Sequence, residues 1–220
     1  MACNIMEKNG DINDNPEMGG DDVKIIVVGE PKCGKTSFIE LFYDKNGSGD
    51  CYMEESAKVY PCRYEVQKEM HDFKIFEIIG GPDEIVEELT GIHTDANGFV
   101  LMFAIDDPSS FLKVMDKWYP TLNKGDMWQG NEPAIVVGTK RDLRENQLVI
   151  QRLAQDNQAP VTQEQGESLV ADKIKKYFDC SSIEPHNVDE AFDWILSLGF
   201  ADLNAEKYGY AFSDSNADDS

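Results

Sequence analysis

Lys35 and Thr36 close the run Gly29-Glu30-Pro31-Lys32-Cys33-Gly34-Lys35-Thr36, which follows the apolar stretch Ile25-Ile26-Val27-Val28. The spacing is that of a phosphate-binding loop between a buried strand and the start of a helix. Glycines let backbone N–H groups converge on phosphate oxygens. The donors come mainly from residues 32–36, so Lys32 and Cys33 serve through their backbone. Lys35 supplies a mobile positive charge to the terminal phosphates. The Thr36 hydroxyl can ligate Mg²⁺, and Ser37, next in the same turn, joins the phosphate-binding set. The helix that begins here adds its N-terminal dipole to the site.

A second group of residues reads the base. Thr139-Lys140-Arg141-Asp142 follows the apolar run at 133–138. An aspartate at a strand end can accept two hydrogen bonds, from guanine N1–H and from the exocyclic amine. Adenine cannot offer that pair and would leave the carboxylate unsatisfied. The Lys140 stem can cover the face of the base. Asp179-Cys180-Ser181-Ser182 follows a later strand, and the backbone amides of Ser181 and Ser182 could meet guanine O6. Three motifs in this order, each at the carboxyl end of a strand, point to GTP or GDP with Mg²⁺ as the ligands.

The elements that must hold these residues alternate along the chain. Strands are predicted at 23–29, 58–66, 72–79, 98–105, 133–138 and 177–180, and helices at 34–45, 83–91, 109–122, 145–158, 164–176 and 188–198. That order gives an α/β fold with a mostly parallel, six-stranded sheet flanked by helices. Ligands bind such sheets at the carboxyl ends of the strands. The polar amphipathic helix at 145–158 is more than the compact unit needs and reads as a surface insertion. Residues 1–21 and 201–220 are acidic, polar and poor in large apolar groups, and are expected to be disordered tails around one domain at 22–200.

The formal net charge is −22. Such an acid excess argues against non-specific nucleic-acid binding and against docking on anionic lipid. Five cysteines without metal-ligand spacing suggest reduced thiols in a cytoplasmic protein. No apolar run approaches the roughly 20 residues a membrane span needs, and the N-terminus does not read as a signal peptide.

Several further segments carry a resemblance. Asp107-Pro108-Ser109-Ser110-Phe111, Lys117-Trp118-Tyr119-Pro120 and Gly138-Thr139-Lys140-Arg141-Asp142-Leu143-Arg144 resemble a Ras-superfamily small GTPase, and within it the Rho family. The helix at 145–158 falls where Rho proteins carry their insert, and Pro160-Val161-Thr162 with Gln165-Gly166 fits the segment after it. The similarity runs over roughly 22–200. It implies a P-loop NTPase fold with a Rho-type insert helix, and a monomeric guanine-nucleotide switch that binds effector proteins and exchange factors.

The departures from that family fall on the hydrolytic parts. The family has Asp-x-x-Gly-Gln where this chain has Glu77-Ile78-Ile79-Gly80-Gly81. Gly80 keeps a backbone N–H for the γ-phosphate. Glu77 replaces the aspartate that holds a metal-bound water. Gly81 replaces the glutamine that orients the attacking water, and glycine has no side chain for that task. Residues 47–58 contain no threonine to close over the metal; Glu54 or Glu55 stands at or beside its place, with Ser56 a misplaced substitute, and Tyr52 could cover the phosphates. Pro31 replaces a glycine that leaves room for an arginine finger. The chain ends Asp-Asp-Ser, without a Cys-a-a-X box or a basic stretch, so no lipid anchor is expected. Two readings follow: a GTP-binding switch with slow hydrolysis, or a non-hydrolysing interaction module on the same fold. A P-loop kinase or ATPase conflicts with Asp142.

Overall fold

A computed structural model describes residues 23–66, 68–82, 96–123, 132–170, 174–183 and 186–208. Its centre is β1 (Val23–Gly29), in which Ile25, Ile26, Val27 and Val28 are all fully buried. Burial on both faces is why this strand reads as a continuous apolar run rather than an alternating one. The other strands are β2 (Tyr52–Glu54), β3 (Ala57–Val66), β4 (Glu69–Ile78), β5 (Gly98–Ala104), β6 (Ala134–Thr139) and β7 (Ile174–Asp179). They form one sheet in the order β2-β3-β4-β1-β5-β6-β7. Pairing is parallel from β4 to β7, while β3 runs antiparallel to β4 and β2 antiparallel to β3.

Two helices cover one face. The first, α1 (Lys35–Asn46), buries Phe38, Ile39 and Phe42. Phe42 and Phe38 stack on Phe192 with ring centroids 4.1 Å and 4.9 Å away. Phe192 belongs to the last helix, Val188–Tyr208. The opposite face carries α2 (Pro108–Lys113), which starts well because Asp107 accepts a hydrogen bond from the Ser109 N–H and Pro108 occupies the first turn. It continues through a π-helical turn, Val114–Trp118, into α3 (Tyr119–Leu122). The π turn delivers the fully buried Trp118 to the core. Next come α4 (Gln147–Ala154), capped by the Asn146 side chain, and α5 (Gln163–Glu167), opened by a Thr162–Gln165 capping box. The last helix is α6.

The predicted architecture holds, with local differences. The sheet has seven strands rather than six, because Tyr52–Glu54 turns back on β3 through Glu55, whose φ is +50°. The helix expected over 164–176 is only the five-residue α5. Ile174, inside that expected range, instead opens β7, where it and Phe178 are buried. Gly166 makes this close approach possible: a Cβ there would collide with the Tyr177 ring. The insert helix is shorter than 145–158. At the far end α6 runs to Tyr208, eight residues into the stretch read as a tail, because Ala, Leu, Glu and Lys favour helix whatever their charge. The helix expected at 83–91 and the tail at 1–21 lie outside the described residues.

Cys33, Cys62 and Cys180 are free and buried, and burial pushes the Cys33 thiol up to about 11 and Cys62 to about 12. They are packing groups. Cys51 is disulfide-bonded, which corrects the expectation that all five thiols are reduced; a count of cysteines does not show which of them meet.

The aromatic stack between α1 and α6 should carry much of the stability. Phe42→Ala should cost about 3–5 kcal/mol, read as a lower denaturant midpoint with little change in slope.

Candidate nucleotide-binding site

The loop after β1 turns where side chains cannot follow. A Cβ on Gly29 would collide with the Met102 carbonyl of β5, and Gly34 holds φ at +100° beside the Thr139 hydroxyl. Between them Lys32 is exposed at φ +66°, and the Cys33 N–H donates to Glu30 O at 3.1 Å. The Glu30 carboxylate fixes the loop from outside, accepting from Lys113 Nζ at 2.5 Å and Trp118 Nε1 at 3.2 Å. This brace explains the π turn, which aims the indole at the loop.

Lys35 is 7% exposed, and its ammonium donates to Gly29 O at 2.6 Å and Glu30 O at 3.3 Å. The charge rests on the carbonyls of the loop itself, at the mouth where phosphates would sit. Thr36 and Ser37 are exposed on the first turn of α1. The Thr36 hydroxyl donates to Glu77 Oε1 at 2.5 Å, and Tyr60 Oη donates to Glu77 Oε2 at 2.7 Å. A hydroxyl that gives its proton to a carboxylate keeps its lone pairs for a cation. Oxygen donors of this kind fit Mg²⁺, so Thr36 and Glu77 can hold the metal. Gly80 follows β4 with φ +107°, and a Cβ on Gly81 would meet nothing within 4 Å.

The base-reading residues lie across the same opening. Gly34, Phe38, Thr139, Lys140, Cys180, Ser181 and Ser182 line one cavity, which joins the phosphate loop to both base motifs. Asp142 Oδ1 accepts from Ser181 Oγ at 2.6 Å. The Arg141 N–H donates to Cys180 O at 3.0 Å, and the Cys180 N–H to Gly138 O at 2.7 Å. Thr139 ties the base loop to the phosphate loop, its hydroxyl lying within bonding distance of Cys33 O and of Phe103 O. Lys140, at φ +58°, places Nζ 2.9 Å from Asp106 Oδ1, an ion-pair contact rather than an aligned hydrogen bond. Asp106 also meets Arg152 of α4, Oδ2 at 3.3 Å.

Tyr52 does not lie over the phosphate loop. It pairs with Val59 and packs into the apolar cluster of β3, β4 and α2, on the face of the sheet away from α1. The hairpin sets that direction, since alternation along β2 turns Tyr52 to one face. Glu54 and Glu55 are exposed at its turn, and Ser56 O accepts the Ile79 N–H at 2.9 Å.

Sequence reasoning missed three supporting groups: Tyr60, the Glu30–Trp118 brace and an Arg144–Asp179 clamp. The Arg144 guanidinium grips both Asp179 oxygens and also donates to Val161 O at 2.9 Å, while the Tyr177 hydroxyl donates to Asp179. This ties the Asp142 loop to the end of β7, two residues before Ser181. Asp142-Leu143-Arg144 held a signal for it, an arginine two residues from the base-reading acid. Tyr60 carried none until the strand register was known.

Burial alone would raise the Asp179 carboxyl, but the hydrogen bonds from Arg144 and Tyr177 outweigh it and hold it below the usual range. A depressed carboxyl stabilises the fold above its unfolded value and loses that contribution as pH falls through the folded one. Arg144→Met should therefore cost about 3–5 kcal/mol at neutral pH. The deficit should begin to shrink below about pH 4, as the unfolded carboxyl takes up its proton, and should vanish only below the depressed folded value. Denaturant unfolding at pH 7 and pH 3.5 is the measurement.

A family model described as Ras family matches residues 24–198. The match spans β1 through most of α6 and so includes the phosphate loop, both base motifs and the Glu77–Gly81 run. With this loop, this cavity and this match, the chain belongs to the Ras family of GTP-binding small GTPases.

Proposed function

We propose that the protein is a Rho-like guanine-nucleotide switch that hydrolyses GTP slowly and is scarcely accelerated by an activating protein. One observation carries this reading: residues of the phosphate loop and of both base motifs line one cavity, while a Cβ on Gly81 would meet nothing within 4 Å where the reaction needs a side chain. Gly29, Lys32, Cys33, Gly34, Thr36 and Ser37 form the phosphate cradle. Lys35 exchanges its two carbonyl partners for phosphate oxygens. Gly80 offers its N–H to the γ-phosphate. Asp142, supported by Ser181, reads guanine, Lys140 covers its face, and Thr139 and Ser182 shape the cavity. Thr36 and Glu77 hold Mg²⁺, which when bound neutralises phosphate charge. No residue at position 81 orients water, and exposed Pro31 crowds the approach of an arginine finger.

The Rho-like assignment rests on the Trp118-Tyr119-Pro120 run and on α4, the helix at the insert position. Effectors and exchange factors are the expected partners of a monomer. Among the described residues no helix is long and apolar enough to cross a membrane, and the acidic balance disfavours anionic lipid, which supports a cytoplasmic place of action. The second reading, a non-hydrolysing interaction module, draws on the closed β2–β3 hairpin. That module would hold its nucleotide constantly or not at all, so the nucleotide that co-purifies separates the two: bound GTP that is never converted, or no nucleotide, supports the module, and GTP that turns over to GDP, however slowly, supports the switch.

Two measurements test the switch. Asp142→Asn should lower the preference for GTP over ATP by about 10–100-fold, the value of a hydrogen bond to a charged acceptor; equal binding of ATP and GTP by the unmodified protein would refute the guanine assignment. Single-turnover phosphate release should be slow with or without a Rho-type activating protein. Pro31→Gly with Gly81→Gln should restore part of the response, more than either change alone, since finger and glutamine act on one transition state. A Cβ at position 81 would meet nothing within 4 Å. A strong response by the unmodified protein would leave an ordinary cycling switch.

A further inference from the structure

We propose that Tyr60 and Glu77 are a matched pair, with Tyr60 the positioning residue that holds the longer Glu77 carboxylate against Thr36 at the metal end of the site. The inference rests on the reading of that site as one for a metal-bound guanine nucleotide.

The register of β3 and β4 creates the pair. Lys58 stands opposite Glu77 and Tyr60 opposite Ile75, so the alternation along the strands puts Lys58, Tyr60, Ile75 and Glu77 on the face toward α1. Tyr60 is fully buried, its ring edge-on to Tyr43 at 5.3 Å. Its hydroxyl has one acceptor, Glu77 Oε2. Glu77 is 5% exposed, and each of its oxygens accepts one hydroxyl, from Thr36 and from Tyr60. The ammonium of the cross-strand residue does not take this role: Lys58 Nζ lies 4.7 Å from the centroid of the Tyr60 ring and 3.6 Å from Glu40 Oε1. Among the described residues, Glu77 has no salt bridge. A buried carboxylate held by neutral donors alone is completed by a cation.

Reach then decides which residue serves best. An aspartate at 77 would be shorter by one carbon–carbon bond, about 1.5 Å. It could not keep both hydroxyls, and the Tyr60 phenol would be left buried without an acceptor. The family's own aspartate, placed in this chain, should weaken the metal site instead of repairing it. Removing the phenol as well should relieve the conflict.

The test is a double-mutant cycle of Glu77→Asp and Tyr60→Phe in the full chain, with two readouts. The first is the free Mg²⁺ needed for half-maximal retention of a fluorescent GDP analogue. Glu77→Asp should raise it about tenfold and Tyr60→Phe severalfold, with the double variant no worse than Tyr60→Phe alone. The second is the unfolding temperature without metal or nucleotide, which Glu77→Asp should lower and the double variant should recover. Additive effects in both readouts, or tighter Mg²⁺ use by Glu77→Asp, would overturn the proposal. Coupling in unfolding temperature without a change in Mg²⁺ use would make the pair merely structural and overturn the positioning role. Should the unmodified protein retain no guanine nucleotide at any Mg²⁺ concentration, the functional reading fails, and the positioning role fails with it.

Discussion

The burial of β1 at the centre of the sheet is the constraint from which the site follows. A strand covered on both faces and paired on both edges has no freedom where it ends. Its carboxyl end must therefore release the chain in one direction, and Gly29, pressed against the Met102 carbonyl, is where it does so. The loop that results is fastened to each neighbour it passes. Glu30 binds Trp118 below the sheet, the Thr139 hydroxyl reaches Cys33 O from β6, and Thr36 meets Glu77 at the end of β4. The parallel strands on either side end at the same edge of the sheet, β4 one residue short of Gly29 and β5 two residues beyond it. Loops that are far apart in sequence therefore open into one cavity.

Within that cavity each charged group already has an internal partner. Lys35 rests on two carbonyls, Lys140 on Asp106, and Glu77 on two hydroxyls. None of these is a strong, fully buried ion pair. Carbonyls and hydroxyls hold a charge without neutralising it, so a phosphate or a metal can displace them at low cost, because little desolvation remains to be done. The clamp between Arg144 and Asp179 is of the other kind: bidentate, largely buried and charge-paired. It carries no ligand and keeps the two base loops in register. The molecule thus separates groups held loosely for exchange from groups held tightly for geometry.

The sequence conveyed the phosphate loop, the base loops and the alternation of strands and helices because each depends on local spacing. Gly29, Gly34, Lys35 and Thr36 must lie together in the chain to lie together in space. What was not legible depended on partners remote in sequence. Tyr60 reaches Glu77 only through the β3–β4 register, and Tyr52 faces away from α1 only because Glu55 turns the chain into a hairpin. The helix expected over 164–176 fell short for a related reason. Leu169 and Ile174 are both buried, but one lies in the turn just after α5 and the other opens a strand, and apolar spacing alone does not distinguish them.

Binding and hydrolysis also rest on different kinds of structure, and this accounts for the pattern of departures. Affinity for phosphate comes from backbone groups whose positions follow from β1, Gly34 and α1, and these must survive if the sheet is to form at all. Hydrolysis needs side chains at the ends of β4 and in the segment before β3, which the core does not require: a Cβ on Gly81 would meet nothing within 4 Å, and Glu54 and Glu55 are exposed. Substitution there leaves the fold intact. Glu77 is the exception, because it is buried and hydrogen-bonded. Its change of length is met by the Tyr60 hydroxyl, whereas nothing within 4 Å of a Cβ at Gly81 takes up the missing glutamine. A position tied into the core must keep a partner when it changes. An exposed one can lose its function without loss of structure.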